Sequence, residues 1–271
     1  MLVILTMPRY IDQLNKEIIL KKPPVRIISL VPSQTELLYE LGLADKVAGI
    51  TKFCVHPDEW FRSKTRVGGT KDIHISKVQE LQPDLIIANK EENLRDQVAE
   101  LEKIAPVWTS DISTVDDALQ MIYSIGEITD SKEYANLIIK KITTSFTEIR
   151  KITDSLKNTR TAYLIWKDPY MSVGADTFIH EIMTLAGMQN VFADSKRYPE
   201  ISIRDIQSGG AELVLLSSEP YPFKEKHITE LSQQLPGIKI MLVDGEMFSW
   251  YGSRMMHLGA YLCGLLPGIK G

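Results

Sequence analysis

Cys54 and His56 stand one residue apart in a polar stretch, Thr51-Lys52-Phe53-Cys54-Val55-His56-Pro57. Thiolate and imidazole are ligands for zinc, copper or iron. A closed protein-built site needs four such groups, however, and only His74 is near in sequence. A small apolar Cys beside a loop His is therefore a simpler reading than a structural metal. The one metal role that needs a single protein ligand is an axial contact to an ion already held by a macrocycle, and His56 and Cys54 are the candidates for it.

A second group of residues suits recognition rather than reaction. Phe53, Trp166, Tyr170, Tyr198, Tyr221, Phe248, Trp250 and Tyr251 all fall in or beside predicted loops, next to polar residues. Concave small-molecule sites are mostly apolar and aromatic, with a few placed polar groups. Phe248-Ser249-Trp250-Tyr251 is the densest instance, and Glu246, Lys71, Lys90 and Arg254 supply charge for carboxylate or amide groups on a ligand. The chain has no G-x-G-x-x-G, no G-x-x-x-x-G-K-[ST], no G-x-S-x-G and no H-E-x-x-H. No catalytic residue is assigned, and the expected activity is binding, not catalysis. A cytoplasmic enzyme or cofactor-handling protein using Cys54, His56, Glu91 and Glu92 is the alternative, and an interaction protein with a decayed site a weaker third.

The elements that must position these residues are legible from periodicity. Residues 131–156, SKEYANLIIKKITTSFTEIRKITDSL, lie in a Gly-free and Pro-free window, with Leu137, Ile138, Ile142, Phe146, Ile149 and Ile152 mostly at steps of three and four. That pattern predicts one amphipathic helix of roughly 40 Å. On either side, short β-branched runs alternate with helical stretches, which predicts parallel sheets. Strands are expected at 26–30, 47–50, 84–88, 107–108, 161–165, 212–216 and 238–243, with a β-hairpin or short helix before Pro23-Pro24 and Ser33 capping a helix over 34–43. The fold class is α/β, two Rossmann-like lobes with mainly parallel sheets joined by one long rigid helix. The expected division is residues 1–128 as an amino-terminal lobe with a lead-in, 129–158 as the spanning helix and 159–271 as the carboxyl-terminal lobe. An internal repeat agrees: Lys77-Val78-Gln79, Asp84-Leu85-Ile86-Ile87-Ala88 and Glu91 match Asp205-Ile206-Gln207, Glu212-Leu213-Val214-Leu215-Leu216 and Glu219 at identical spacing. Ligands of open parallel sheets lie beyond the carboxyl ends of the strands, so the expected site is a cleft between two such faces.

With 271 residues and 44% hydrophobic content the chain has enough apolar matter for sizeable cores. A net charge of −4 without a basic cluster argues against nucleic acid and anionic membranes as partners. No apolar run approaches the length of a membrane span. The run at residues 2–5 lacks the basic start and the length of a secretory signal. Read alone, the chain is cytoplasmic, or periplasmic if a leader precedes it. Cys54 and Cys263 do not fix a redox compartment.

The run RIISLVPSQTELLYELGL from Arg26 to Leu43, followed by Val47-Ala48-Gly49-Ile50 and Leu81-Gln82-Pro83-Asp84-Leu85-Ile86, resembles the cobalamin- and iron-siderophore-binding components of ABC importers, over about residues 24–268. Among these the chain looks most like the cobalamin binders. The resemblance implies a corrinoid, or else haem or a ferric siderophore, as ligand, with no intrinsic cofactor. It places Phe53, Glu246, Phe248 and Arg254 at ligand-facing positions, whereas two loop tryptophans of the cobalamin binders correspond here to Thr70 and Asn89. It also implies an ABC permease as partner. The two docking positions, Glu in those proteins, hold Ser76 and Arg204, and Arg204 facing a basic pocket is repulsive; Glu80, Glu200 or Asp205 nearby are the possible substitutes.

Overall fold

A computed structural model describes residues 8–153 and 158–270. The apolar run at 2–5 and the predicted helix end at 154–156 lie outside the described residues. The chain divides into two compact units. The first takes residues up to Asp111 with Asp116–Lys140 and Tyr251–Ser253; the second takes Ile112–Val115, Lys141–Trp250 and Arg254 onward.

The first unit opens with a hairpin of β1 (Arg9–Ile11) and β2 (Glu17–Ile19). Its turn forms because Asp12 Oδ1 accepts the Leu14 and Lys16 amides, at 2.9 and 2.7 Å. Five parallel strands follow, β3 (Ile27–Ser29), β4 (Val47–Ile50), β5 (Thr65–Arg66), β6 (Leu85–Asn89) and β7 (Val107–Ser110), in the order β5-β4-β3-β6-β7. The edge of β7 is covered by the hairpin turn: Gln13 N–H donates to Thr109 O at 3.1 Å, and Thr109 N–H donates to Asp12. Helices α1 (Pro32–Glu40), α2 (Asp58–Ser63), α3 (Ile75–Leu81), α4 (Arg95–Leu101) and α5 (Val115–Ile128) connect and flank the strands. Ile28, Leu30, Val67, Val78, Ile86 and Val107 fill one side of the sheet. Every residue of β6 is buried, as expected of a central parallel strand covered on both faces. Ser33 does not cap α1. Pro32 begins the helix with its φ preset, Val31 holds the cap position without a side-chain bond, and Ser33 sits inside, buried.

Helix α6 (Lys132–Thr153) runs across the boundary between the units in sequence. Ala135, Ile138, Ile142, Phe146 and Ile149 are buried at steps of three and four, while Leu137 is exposed. The second unit then builds β8 (Thr159–Leu164), β9 (Tyr170–Met171), β10 (Met188–Asn190), β11 (Glu200–Ile201), β12 (Leu213–Ser217) and β13 (Lys239–Val243). Four of these form a parallel sheet in the order β10-β8-β12-β13, and β9 pairs antiparallel with β11. Helices α7 (Phe178–Leu185), α8 (Ile203–Ser208), α9 (Glu225–Gln234), α10 (Gly245–Ser249) and α11 (Met255–Lys270) complete it.

The sequence repeat is structural. It pairs α3 and β6 with α8 and β12, and the same clasp precedes both strands. Asp84 accepts the Arg26 amide at 2.8 Å and donates its own amide to Arg26 O, while the Arg26 guanidinium donates to Leu81 O. Glu212 accepts the Arg160 amide at 3.0 Å and returns its amide to Arg160 O, while the Arg160 guanidinium donates to Gly210 O. In each unit an acidic residue thereby fixes the register of the neighbouring parallel strand.

Candidate functional site

Because each main sheet is parallel, its carboxyl ends share one edge, and the predicted site residues gather there in each unit.

In the first unit the loop after β4 carries Phe53, which is 50% exposed and lies under the Lys52 ammonium, 5.1 Å from ring centroid to Nζ. Cys54 is fully buried, with its sulfur 3.0 Å from Thr35 Oγ1 and 3.1 Å from Thr51 Oγ1. Burial pushes its thiol above the ordinary range, the two hydroxyls only partly opposing this. The expected contact between Cys54 and a ligand metal is therefore not supported: the side chain is a core anchor for the loop, kept protonated and out of reach. His56 is half-buried on the same loop. Beyond β6, Asn89 Oδ1 accepts the Glu91 and Glu92 amides at 2.8 and 3.0 Å, and Asn93 Nδ2 donates to Thr70 O at 2.9 Å. Asn89 and Thr70 thus build the loop backbone where the resemblance expected tryptophans. Lys90 is exposed and paired with Asp111.

In the second unit two clusters form. Trp166, 41% exposed after β8, meets Tyr221 edge to face at 5.7 Å, and Tyr221 packs on Phe223 at 4.7 Å and on His227 at 5.6 Å. Tyr170 on β9 packs on the same core. Lys167 pairs with Glu230, which raises the ammonium's pKa and lowers the carboxyl's. His227 Nδ1 accepts the Lys224 amide at 2.8 Å, so the proton of the neutral ring lies on Nε2.

The second cluster is built on α10, a segment expected to be loop. Asp244 caps it, Oδ1 accepting the Glu246 amide at 3.0 Å. One turn of helix then sends Phe248 inward, where it is 0% exposed and packs on Tyr163 at 5.1 Å and on Tyr261 at 6.3 Å. Phe248, expected to stack on a ligand, is instead the packing floor beneath this strand end. Trp250 is also enclosed. Its Nε1–H donates to Glu219 Oε1 at 2.9 Å, and the Arg254 guanidinium covers its ring at 4.8 Å. Arg254 in turn pairs with Glu246 at 2.8 Å, both side chains largely sheltered. Gly245 has no substitute here: a Cβ would lie 2.3 Å from Ser217 Oγ and 2.9 Å from the Glu219 amide nitrogen. Tyr251 is half-buried and groups with the first unit.

Sequence reasoning named Tyr221 among the loop aromatics but missed Glu219 as a site residue. The repeat places Glu219 at a strand end, but its bonds to the Ser249–Trp250 segment are non-local and leave no periodic trace.

Among the described residues no helix is long and apolar enough to cross a membrane. A family described as periplasmic binding protein matches residues 27–235. An uncharacterized ABC transporter substrate-binding lipoprotein, YvrC, of Bacillus subtilis is 27% identical over 70% of this chain, and the match spans 63% of that protein's length. A vitamin B12-binding protein of Vibrio parahaemolyticus is 25% identical, covering 72% of each chain. The periplasmic vitamin B12 binding protein BtuF of Vibrio cholerae shares the fold, with a TM-score of 0.78 at 22% identity over 92% of this chain and 98% of its own. With the family match running from β3 to just past α9, and with a parallel-sheet α/β fold in both units, the chain belongs to the periplasmic binding proteins.

Proposed function

We propose that the chain binds a corrinoid of the cobalamin class, without transforming it, against the strand-end faces of its sheets, for delivery to an ABC permease. One observation carries the choice of ligand. On the strand-end face of the second unit Lys167 pairs with Glu230 and Arg254 with Glu246, and Glu219 adds a further acid. A haem or a ferric catecholate brings carboxylates or net negative charge, which this face repels. A corrinoid periphery is rich in neutral amides, which can donate to Glu219 and Glu246 and accept from Arg254. The B12-binding relative supports the same reading.

In this reading Trp166 of the second unit offers an open ring, Tyr170 and Trp250 shape the wall there, and Glu246 and Arg254 meet polar groups; in the first unit Phe53 offers an open ring, Lys90 meets polar groups and Tyr251 is a further wall candidate. His56 is the axial candidate. Phe248 acts from behind. Permease docking would use α3 and α8, whose equivalent second residues are Ser76 and Arg204, both exposed. Asp205 is committed to capping α8 through Ser202, whose hydrogen bonds hold its carboxyl below the usual range. Glu80 and Glu200 remain as exposed acids on this route.

The test is a thermal-shift and visible-absorption titration of the purified protein with cyanocobalamin, haemin and a ferric siderophore. Cyanocobalamin at a hundred times its dissociation constant is expected to add about 2.7 kcal/mol of stability. Trp166→Ala is expected to weaken it roughly tenfold, about 1.4 kcal/mol, through loss of a stacked ring. Tighter binding of haemin than of cyanocobalamin would overturn the choice of ligand.

A further inference from the structure

We infer that Glu219 is the positioning residue of this site: its carboxylate sets the pose of Trp250, and through Trp250 the affinity for the ligand. The inference rests on the reading proposed above for the strand-end face of the second unit.

Glu219 follows β12 directly, and its Oε1 accepts two bonds from one neighbouring segment, Trp250 Nε1–H at 2.9 Å and Ser249 Oγ–H at 2.6 Å. Ser249 Oγ also lies 2.9 Å from Gly245 O, but a hydroxyl has one hydrogen, and an ionised carboxylate is the stronger acceptor. The indole is thus held at its nitrogen edge by Glu219 and covered on one face by Arg254, at 4.8 Å. Trp250 is 8% exposed, so what remains open is a narrow strip whose direction the Glu219 bond decides. Gly245 permits this approach, since a Cβ there would sit 2.6 Å from Glu219 Cγ. Without Glu219 the ring retains the Arg254 contact but loses the bond that fixes its rotation.

The experiment compares wild type, Glu219→Ala, Glu219→Gln and Ser249→Ala, each alone and combined with Trp250→Phe. Subtracting each Trp250→Phe emission spectrum isolates the Trp250 signal in ligand-free protein. Glu219→Ala is expected to shift that signal to the red and to weaken cyanocobalamin binding roughly tenfold or more, the loss of a hydrogen bond to a charged group. Glu219→Gln keeps an acceptor oxygen and is expected to restore both the emission and most of the affinity. Ser249→Ala, which spares the indole bond, is expected to leave the Trp250 emission in place. An unchanged Trp250 signal and unchanged affinity in Glu219→Ala would overturn the inference, as would equal losses in the Gln and Ala variants. Should wild type bind none of the cyanocobalamin, haemin and siderophore probes, the proposed function fails. The role of Glu219 in affinity then fails with it, and its hold on Trp250 is judged on the ligand-free emission alone.

Discussion

Phe248→Ala is expected to cost about 3 to 5 kcal/mol of stability, the range for truncating a fully buried aromatic whose surroundings relax only partly. The side chain is 0% exposed and wedged against Tyr163 and Tyr261. Both neighbours are themselves committed: Tyr163 Oη donates to Ser217 Oγ at 3.1 Å, and Tyr261 Oη accepts the Asp244 amide at 2.8 Å. Neither ring can swing into the cavity without breaking a bond that holds a strand end. Burial also pushes the Tyr163 hydroxyl far above its ordinary range, so it stays a neutral donor at any working pH. Phe248→Leu retains most of the volume and is expected to cost about 1.5 kcal/mol or less. Urea unfolding of the three proteins gives the comparison. A Phe248→Ala protein that unfolds at the wild-type midpoint yet fails to bind cyanocobalamin would place Phe248 against the ligand and remove it from the core.

The difference between that expectation and the one drawn from spacing shows where the sequence is readable. The strands were legible because parallel strands covered on both faces leave uninterrupted β-branched runs, and β4 at Val47–Ile50 matches its expected limits. The run at 84–88 is displaced by one residue to Leu85–Asn89, since Asp84 spends its carboxylate on the Val25 and Arg26 amides. Residues 244–252 carry no helical signal in the sequence, because they hold Gly, Ser and large rings in no fixed period. The cap that makes α10, Asp244, was present in the sequence, but a helix of five residues is too short to show periodicity. Once that turn forms, Phe248 must face the sheet and Trp250 must leave the helix near Glu219. The enclosure of Trp250 depends on a partner thirty-one positions away, and no local pattern encodes it. Cys54 carries two readings from spacing, a small apolar residue and an axial contact, and the structure favours the first. Its neighbours in sequence are polar and loop-like, but its neighbours in space, Thr35 and Thr51, draw it inward. What spacing resolves is the scaffold and the strand ends that carry the candidate residues; which rings face outward is decided by long-range hydrogen bonds.

Gly68→Ala carries the second large effect, about 3 to 5 kcal/mol, and it tests the face of the first unit. Gly68 has a φ of +111°, a region that side-chain-bearing residues avoid at a cost of about 1 to 3 kcal/mol. A Cβ there would also lie 2.2 Å from Asp72 O and 3.0 Å from the His74 amide nitrogen. Both obstacles are backbone, so no rotamer change relieves them, and overpacking of this kind adds about 1 to 3 kcal/mol. The atoms that would have to move are bonded: Asp72 O accepts the Gly69 amide at 2.8 Å, and His74 N–H donates to Val67 O at 2.7 Å. Gly68 O itself accepts the Lys52 amide at 2.8 Å, so displacing this turn removes the anchor of the loop that carries Phe53. Gly69→Ala is the control. Its Cβ would approach Phe53 at 3.2 Å and Lys52 at 3.3 Å, both side-chain atoms that can yield. That variant is expected to keep near-wild-type stability while shifting the Phe53 ring and weakening cyanocobalamin binding. Chemical denaturation of the two variants separates the outcomes: a large loss for Gly68→Ala with little for Gly69→Ala fits a turn held by backbone. Equal stabilities would mean that this turn does not brace the Phe53 loop and that the first unit presents its aromatic by other means.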